Sequence, residues 1–225
     1  MVITIVSAGP RPNGATAKTL REIENYLGQK DGVTIKYFDL AKYNMRFCTG
    51  CCQCDLTGEC SIINDGIEDT LNEIRNSDGI IFGCPTYVGS VTGQLKTFFD
   101  RAHLFLMEQT LRGKYGFSVS TYETATGRRA ISQMDYFLLI CGASRKGNFT
   151  LKLPVDSDPF EKEDTKDILH KKVEGFYRCI KSKAKRSLFE YLFSIILVDY
   201  ILKPFYRKDP KKYGRILKLF ENKKI

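Results

Sequence analysis

Residues 2–16 read Val-Ile-Thr-Ile-Val-Ser-Ala-Gly-Pro-Arg-Pro-Asn-Gly-Ala-Thr. The apolar run at 2–6 has the length and composition of a buried strand, and it ends in a loop rich in glycine and proline. A helical pattern begins at residue 16, so the stretch predicts a strand, a loop and a helix. The free N–H groups and positive dipole of such a helix start favour a bound phosphate. The loop lacks the G-x-x-x-x-G-K-[ST] pattern of triphosphate loops, so a monophosphate suits it better.

Strand and helix patterns alternate from this stretch to residue 151. Further strands are predicted at residues 33–40, 79–84, 115–121 and 141–151. Helices are predicted at residues 16–27, 65–75, 91–105 and 128–139. This alternation is typical of parallel strands with helices on both faces. Five such units in about 150 residues predict an α/β fold, a flavodoxin-like doubly wound five-stranded parallel sheet.

Composition changes near residue 159, which predicts a domain at 1–158 and a basic helical C-terminal extension at 159–225. The whole net charge of +9 comes from residues 160–225, which hold 18 Lys and Arg against 9 Asp and Glu. The apolar stretch at 187–202 would be a helix about 24 Å long. A membrane crossing needs about 20 residues, or about 30 Å of helix, so this stretch is too short. We expect an oligomerisation arm with a solvated basic face.

Two other uses of the extension stay open. A basic surface can dock an acidic electron carrier such as a ferredoxin, and it can touch anionic lipid. Nucleic-acid binding is not expected, because no known nucleic-acid-binding motif accompanies the positive charge of the extension.

Two further loops follow predicted strands at the same edge of the sheet, where open parallel sheets bind ligands. One reads Cys-Pro-Thr-Tyr-Val-Gly-Ser-Val-Thr-Gly at 84–93, and the other reads Thr-Tyr-Glu-Thr-Ala-Thr-Gly at 121–127. Tyr87 offers a flat apolar face, and the glycines let backbone approach a planar ring. Taken alone, each loop is equally compatible with a simple turn.

Five of the eight cysteines lie in the loop at 47–61. Four of them keep a C-x2-C-x2-C-x5-C spacing: Cys48, Cys51, Cys54 and Cys60. The chain start has no export signal, so we expect a cytoplasmic location, where clustered thiols serve metal or redox chemistry. A [4Fe–4S] cluster, structural zinc and a metal-free thiol loop are the alternatives. Cys52 is expected to pack, and Cys84, Cys141 and Cys179 to be buried.

Four stretches together carry a family resemblance: Pro-Arg-Pro-Asn-Gly-Ala-Thr-Ala at 10–17, Cys-Pro-Thr-Tyr at 84–87, Gly-Gln-Leu-Lys at 93–96 and Phe-Asp-Arg at 99–101. Over residues 1–150 the sequence resembles the NAD(P)H-dependent FMN reductase branch of the flavodoxin-like superfamily. The cysteine run ahead of Asn64 and Asp65 makes it similar to the iron–sulfur flavoprotein group.

The resemblance implies a set of cofactor-binding residues. The phosphate of FMN would be surrounded by Arg11, Asn13, Ala15, Thr16 and Ala17. Relatives often have serine where this chain has Gly9, and Ser7 is expected to compensate. The isoalloxazine ring would be lined by Pro85, Thr86, Tyr87, Val88 and Gly89. The third loop would contribute Thr121, Tyr122, Glu123 and Gly127. The four spaced cysteines would hold the cluster.

The preferred hypothesis is an FMN-dependent oxidoreductase that relays electrons between a carrier and FMN through an iron–sulfur cluster. NAD(P)H or a ferredoxin would be the donor, and the protein would be a homo-oligomer, a dimer or tetramer. A cluster-free NAD(P)H-dependent reductase of FMN or quinones is one alternative. A non-catalytic membrane- or partner-binding protein is the other. No catalytic side chain is assigned, since the cofactors supply the chemistry. His103 and His170 are expected to be structural or surface residues.

Overall fold

The computed structural model describes residues 1–222 and shows one five-stranded parallel sheet at its centre. Residues 223–225 of the predicted extension lie outside the described residues. The strands are β1 (Val2–Ser7), β2 (Thr34–Asp39), β3 (Gly79–Gly83), β4 (Tyr115–Tyr122) and β5 (Ser144–Lys152), in the order β2-β1-β3-β4-β5. This order is the flavodoxin-like one, so the predicted fold class is confirmed.

Ten α-helices surround the sheet or follow it. Their bounds are α1 (Ala15–Gly28), α2 (Gln53–Thr57), α3 (Ile67–Asn76), α4 (Gly93–Arg101), α5 (His103–Met107), α6 (Gly127–Ile140), α7 (Glu163–Lys181), α8 (Leu188–Ile195), α9 (Lys203–Arg207) and α10 (Pro210–Asn222) among the described residues. A 3-10 turn lies at Leu40–Lys42, and a π-helical segment at Ile196–Leu202 joins α8 to α9. The helix predicted at 91–105 is two helices separated at Ala102.

Apolar side chains form a core on each face of the sheet. On one face, α1 and α7 bury side chains such as Leu20 and Phe176 against Ile3 and Ile5. Gly79 of β3 permits this close packing, because a Cβ there would lie 2.6 Å from the side chain of Ile180. On the opposite face, α3, α4 and α6 cover the sheet with a second apolar core.

The two parts of the predicted extension differ in what they pack against. Helix α7 lies on the sheet, where Leu169 and Val173 are fully buried. Residues 188–222, which we call the arm, contribute to a third apolar cluster that includes Met107 at the end of α5. The domain division at residue 159 therefore stays a prediction.

The apolar stretch at 187–202 is helical and partly exposed. Its start is fixed by a capping box, in which the Ser187 hydroxyl accepts from the Glu190 amide and the Glu190 carboxylate accepts from the Ser187 amide. Glu190 is buried and also accepts from the Arg145 amide at 2.9 Å. Across the described 222 residues, none of the helices has the length and apolar character needed to span a bilayer.

Candidate functional site

The three loops predicted to bind a cofactor meet at the carboxyl edge of the sheet. They enclose a small depression beside the point where β1 and β3 lead to opposite sides of the sheet. Its lining residues are Gly9, Pro10, Arg11, Gly14, Ala15, Thr16, Pro85, Tyr87 and Thr121. Ligands of open α/β sheets bind at this kind of switch point.

The first loop leaves the start of α1 open to an anion. Gly14 occupies the cap position, no side chain of the described residues caps the helix, and its first turn holds no acidic residue. The backbone N–H groups of Ala15, Thr16 and Ala17 therefore lack helical partners. Together with the helix dipole, these donors fit a phosphate.

Charged and hydroxyl side chains complete the loop. Arg11 pairs with Asp156 at 2.6 Å, and both side chains are exposed, so the pair contributes little and the guanidinium can turn to an anion. Thr16 and Thr121 share a hydrogen bond of 2.7 Å between their hydroxyls, which joins the first loop to the third. Asn13 is exposed beside them. Ser7 lies away from the depression, because it is buried and hydrogen-bonded to Tyr37.

The second loop presents an apolar tip. Tyr87 and Ser90 exchange two backbone hydrogen bonds of 2.9 Å, with Val88 and Gly89 at φ values of 49° and 71° between them. Positive φ at both central residues defines a type I′ turn. A β-branched residue is strained in this conformation, and Val88 is fully exposed as well. Such strain concentrates at functional sites, and a planar ligand would cover this tip.

Replacing Val88 with asparagine is expected to stabilise the cofactor-free protein. Asparagine is favoured in the left-handed conformation, so the free energy of unfolding should rise by about 1 kcal/mol, while FMN affinity falls with the loss of the apolar contact. Urea unfolding and FMN fluorescence titration measure the two effects. Val155→Asn is the control, since Val155 is also exposed but is not among the residues with positive φ. An equal stability change in both variants would contradict the strain argument.

The third loop is held by contacts with the second loop, with Val155 and within itself. The amide of Thr86 donates to the carbonyl of Thr121 at 2.9 Å, so the second and third loops are joined. The ring of Tyr122 packs so closely on Gly127 that a Cβ there would overlap it. The carboxylate of Glu123 accepts from the amide of Val155 at 3.3 Å. In this arrangement Thr121 lines the depression, whereas Tyr122 and Glu123 support the loop.

The cysteine loop forms a second candidate site at the other end of α4. A cavity of about 370 Å³ lies there. Its lining residues are Cys48, Gly50, Cys52, Cys54, Cys60, Asp100, Arg101 and His103. The thiol of Cys51 lies 3.2 Å from the hydroxyl of Ser61, the neighbour of Cys60. The four spaced cysteines thus gather in one region, and every cysteine of the chain is a free thiol.

The remaining cysteines follow the expectation only in part. Cys84 and Cys141 are buried, as predicted, whereas Cys179 is only partly buried. The predicted packing of Cys52 is wrong, because Cys52 is exposed. The left-handed conformations of Gly50 and Cys52, with φ values of 68° and 57°, turn the chain there and place Cys52 at the surface.

Arg101 holds the cysteine loop through four groups. Its Nε donates to the Cys60 sulfur at 3.2 Å, and its Nη atoms donate to the carbonyls of Arg46 and Ile62 at 3.0 and 2.7 Å. A carboxylate oxygen of Asp65 accepts at 2.6 Å. The Arg101 and Asp65 side chains are only 1% and 3% exposed. Burial acts to raise the pKa of Asp65, but the hydrogen bond from Arg101 prevails and keeps that pKa below its usual range.

Cys54 is partly buried and lies next to the buried Asp55. Burial, and then the nearby Asp55, Cys60 and Cys48, raise the pKa of the Cys54 thiol to about 11. Ligand atoms of Cys54, Asp55 and His103 lie within 4.8 Å of one another. The His103 ring and the Asp55 carboxylate are 3.0 Å apart. A soft metal centre bound here would displace the proton of the Cys54 thiol. Its positive charge would compensate the negative charge of the thiolate and of the Asp55 carboxylate.

Sequence reasoning missed three residues of this site. Arg101 was noticed only as part of the Phe-Asp-Arg motif, and Asp55 gave no signal beyond its position next to Cys54. His103 was expected to be a structural or surface residue, and it lines the cavity while pairing with Asp55. His170 does have a supporting contact away from the site, with Glu22 at 2.8 Å.

Comparisons with known proteins identify the family. Residues 1–149 match the family described as NADPH-dependent FMN reductase. An iron–sulfur flavoprotein of Clostridioides difficile is 37% identical over 230 residues, which cover 100% of each chain. An iron–sulfur flavoprotein of Methanocaldococcus jannaschii is 34% identical over 142 residues, or 62% of this chain and 72% of the relative.

Solved structures support the fold alone. An NADH:FMN oxidoreductase in its apo form superposes with a TM-score of 0.58 at 21% identity, covering 78% of this chain and 87% of that one. A flavodoxin from the domain Archaea superposes with a TM-score of 0.54 at 14% identity, covering 80% and 99%. Because the family match covers about two thirds of its length, the chain belongs to the NADPH-dependent FMN reductase family and is an FMN-dependent oxidoreductase.

Proposed function

We propose that the protein is an iron–sulfur flavoprotein that passes electrons between an external carrier and FMN. The observation that carries this proposal is the placement of two candidate sites at the two ends of α4. This helix begins after the second cofactor loop and ends at Arg101, beside the cysteine cavity. Nine residues of helix span about 13 Å, so the two sites are close neighbours. The full-length similarity to an iron–sulfur flavoprotein supports the same pairing.

FMN would be held by the three loops at the sheet edge. The amides of Ala15, Thr16 and Ala17 and the side chains of Arg11 and Asn13 would bind its phosphate. Pro85, Thr86, Tyr87, Val88 and Gly89 would line its ring, and Thr121 would close the depression. Ser7, Tyr122, Glu123 and Gly127 would support these loops, which is the role that their contacts favour.

A [4Fe–4S] cluster would be held by Cys48, Cys51, Cys54 and Cys60. The cavity and the free thiols fit such a group, since iron–sulfur clusters are bound by cysteine thiolates. Arg101 would orient Cys60 and donate a hydrogen bond to its sulfur, a contact that tunes cluster potentials. When bound, the two groups supply one- and two-electron redox chemistry. The protein positions them and surrounds them with charge.

The donor and assembly are part of the same proposal. A carrier of ferredoxin type or NAD(P)H would supply electrons, and the protein would work as a homo-oligomer in the cytoplasm. No side chain is assigned as a proton donor or acceptor for the reaction.

Anaerobic purification followed by FMN, iron and sulfide analysis tests the proposal. We expect one FMN per chain and about four iron and four sulfide atoms. FMN without iron and sulfide would favour the cluster-free reductase, and neither cofactor after reconstitution would contradict the proposal entirely.

Single substitutions at the adjacent Cys51 and Cys52 test the ligand set. Cys51→Ser is expected to lose most of the iron, because the fourth thiolate is removed, whereas Cys52→Ser should keep it. Iron analysis and the visible absorption spectrum of anaerobically reconstituted protein distinguish the variants. The reverse result would assign the fourth ligand to Cys52, which is the one of these two cysteines that lines the cavity.

A further inference from the structure

The C-terminal arm packs directly on the cysteine loop. Helix α10 lies against α2, the short helix that carries Cys54 and Asp55. The apolar face of α10 buries Tyr213, Ile216 and Phe220 in the cluster around Met107. Helix α10 begins about 150 residues after the cysteine loop in the sequence, and it still packs against that region.

Polar contacts from α9 and α10 fix the arm against the end of α5. The hydroxyl of Tyr206 donates to the carbonyl of Met107 at 2.7 Å. The guanidinium of Arg215 lies 2.6 Å from the carboxylate of Glu108, although the pair does not have hydrogen-bond geometry. The same guanidinium covers Gly58, where a Cβ would lie 3.0 Å from Nη1. Gly58 ends α2 with a φ of 87°, a conformation that favours glycine.

Lys212 brings a positive charge to the same place. Its Nζ lies 3.5 Å from a carboxylate oxygen of Asp55, whose side chain is 2% exposed. The Tyr213 hydroxyl, and then the Cys52 thiol, raise the pKa of Lys212 above its usual range. The start of α10 holds this residue in place, because the Asp209 carboxylate accepts from the Lys212 amide at 3.1 Å. Pro210 occupies the first helical position, which suits a helix start.

We propose that α10 is a functional part of the cysteine site: its apolar face anchors it beside Met107, so that the helix stays packed on α2, and Lys212 supplies a positive charge that favours the reduced state of a metal centre bound there. The electrostatic half of this inference, which is the effect of Lys212 on a metal centre, rests on the proposed function. The packing half, which is the claim that α10 keeps α2 in position, rests only on contacts within the protein.

The other charges near the cavity are already paired. Arg101 pairs with Asp65, and Lys96 pairs with Asp100 on the outer side of α4. Asp55 is shared between the His103 ring and Lys212. Removing the Lys212 charge therefore leaves a buried carboxylate next to Cys54 with less compensation. Because reduction adds negative charge, a lost neighbouring cation lowers the reduction potential.

Hydrogen exchange of the metal-free full chain tests the packing half. Ile216→Ala should increase amide exchange in Gln53–Thr57 several-fold, because it weakens the apolar cluster that keeps α10 in place beside α2. Ile180→Ala is the control, since Ile180 is buried on α7 against the sheet and belongs to another cluster. Equal exchange in α2 for both variants would overturn the packing half.

An EPR-monitored redox titration of the reconstituted full chain tests the electrostatic half. Lys212→Gln should shift the midpoint potential to a more negative value, whereas Lys211→Gln should leave it unchanged. Lys211 precedes Lys212 on the same helix and is exposed. Equal potentials in the two variants would overturn this half. If the wild-type chain takes up no iron, the proposed function fails, and the exchange experiment alone decides whether α10 positions α2.

Discussion

Arg101→Leu is expected to lower the free energy of unfolding of the metal-free protein by about 3–5 kcal/mol, because it leaves a buried carboxylate unpaired. Without the guanidinium, Asp65 loses its charged partner and keeps only the amides of Arg46 and Ile67 as donors. The carbonyls of Arg46 and Ile62 also lose the donor that Arg101 supplies. The stretch that contains Cys60 would then be released, so iron content should fall in parallel. Urea unfolding and iron analysis measure the two effects.

The matched control is Lys96→Gln, which removes an exposed ion pair from the same helix. Such a pair contributes about 0–1 kcal/mol, and iron content should not change. The double variant Arg101→Leu/Asp65→Leu should regain part of the lost stability, since it also removes the orphaned carboxylate. An Arg101→Leu protein that keeps its iron and unfolds like the Lys96→Gln variant would contradict the role given to Arg101.

The same pair predicts a pH dependence. The pKa of Asp65 is lower in the folded protein than its ordinary value, so its contribution to stability is present above about pH 4 and is lost as pH falls through the lower, folded-state value. Stability curves of wild type and the double variant should therefore converge below pH 4. Parallel curves down to acid pH would contradict this assignment.

Ala15→Asp is expected to lower FMN affinity by about 100-fold or more while leaving the cofactor-free protein folded. Ala15 is the first residue of α1, where a carboxylate complements the helix dipole and stabilises the helix by about 0.3–1 kcal/mol. The same carboxylate would repel a bound phosphate. Two like charges 4 Å apart interact by about 4 kcal/mol at an effective dielectric constant of 20, more than the 2.7 kcal/mol that a 100-fold change needs.

The two effects have opposite signs, which makes the prediction specific to a phosphate at this helix start. Fluorescence titration gives the FMN dissociation constant, and thermal unfolding without FMN gives the stability. Ala15→Asn is the control of similar size without the charge, and it should weaken FMN binding far less. Equal losses in the aspartate and asparagine variants would indicate a steric effect and would contradict a phosphate site.

The sheet and its order were predictable from the sequence because each strand and helix has a local pattern. The apolar run at residues 2–6 and the loop after it specify β1 and α1 without any distant partner. The ends of strands and helices were harder to predict where the turn between them contains apolar residues. β5 begins at Ser144, after the predicted residue 141, because Cys141 ends α6 and Gly142 turns the chain with a φ of 99°.

The meeting of the three loops at one edge of the sheet was also predictable, since their residues follow strand ends directly. The surroundings of the cysteines were not, because their partners are distant in sequence. Arg101 meets Cys60 across 41 residues, and Lys212 reaches Asp55 from the opposite end of the chain. Neither contact has a local pattern. For the same reason the packing expected for Cys52 was wrong: this thiol lies exposed beside Lys212 of the arm.

The most direct test of the central claim is a crystal structure of the anaerobically purified protein grown with excess FMN. We predict the FMN phosphate within hydrogen-bonding distance of the amides at Ala15, Thr16 and Ala17, with Tyr87 against the ring, and an iron–sulfur cluster on Cys48, Cys51, Cys54 and Cys60. FMN bound elsewhere, or a start of α1 that stays empty at saturating FMN, would contradict the account whatever the cysteines hold.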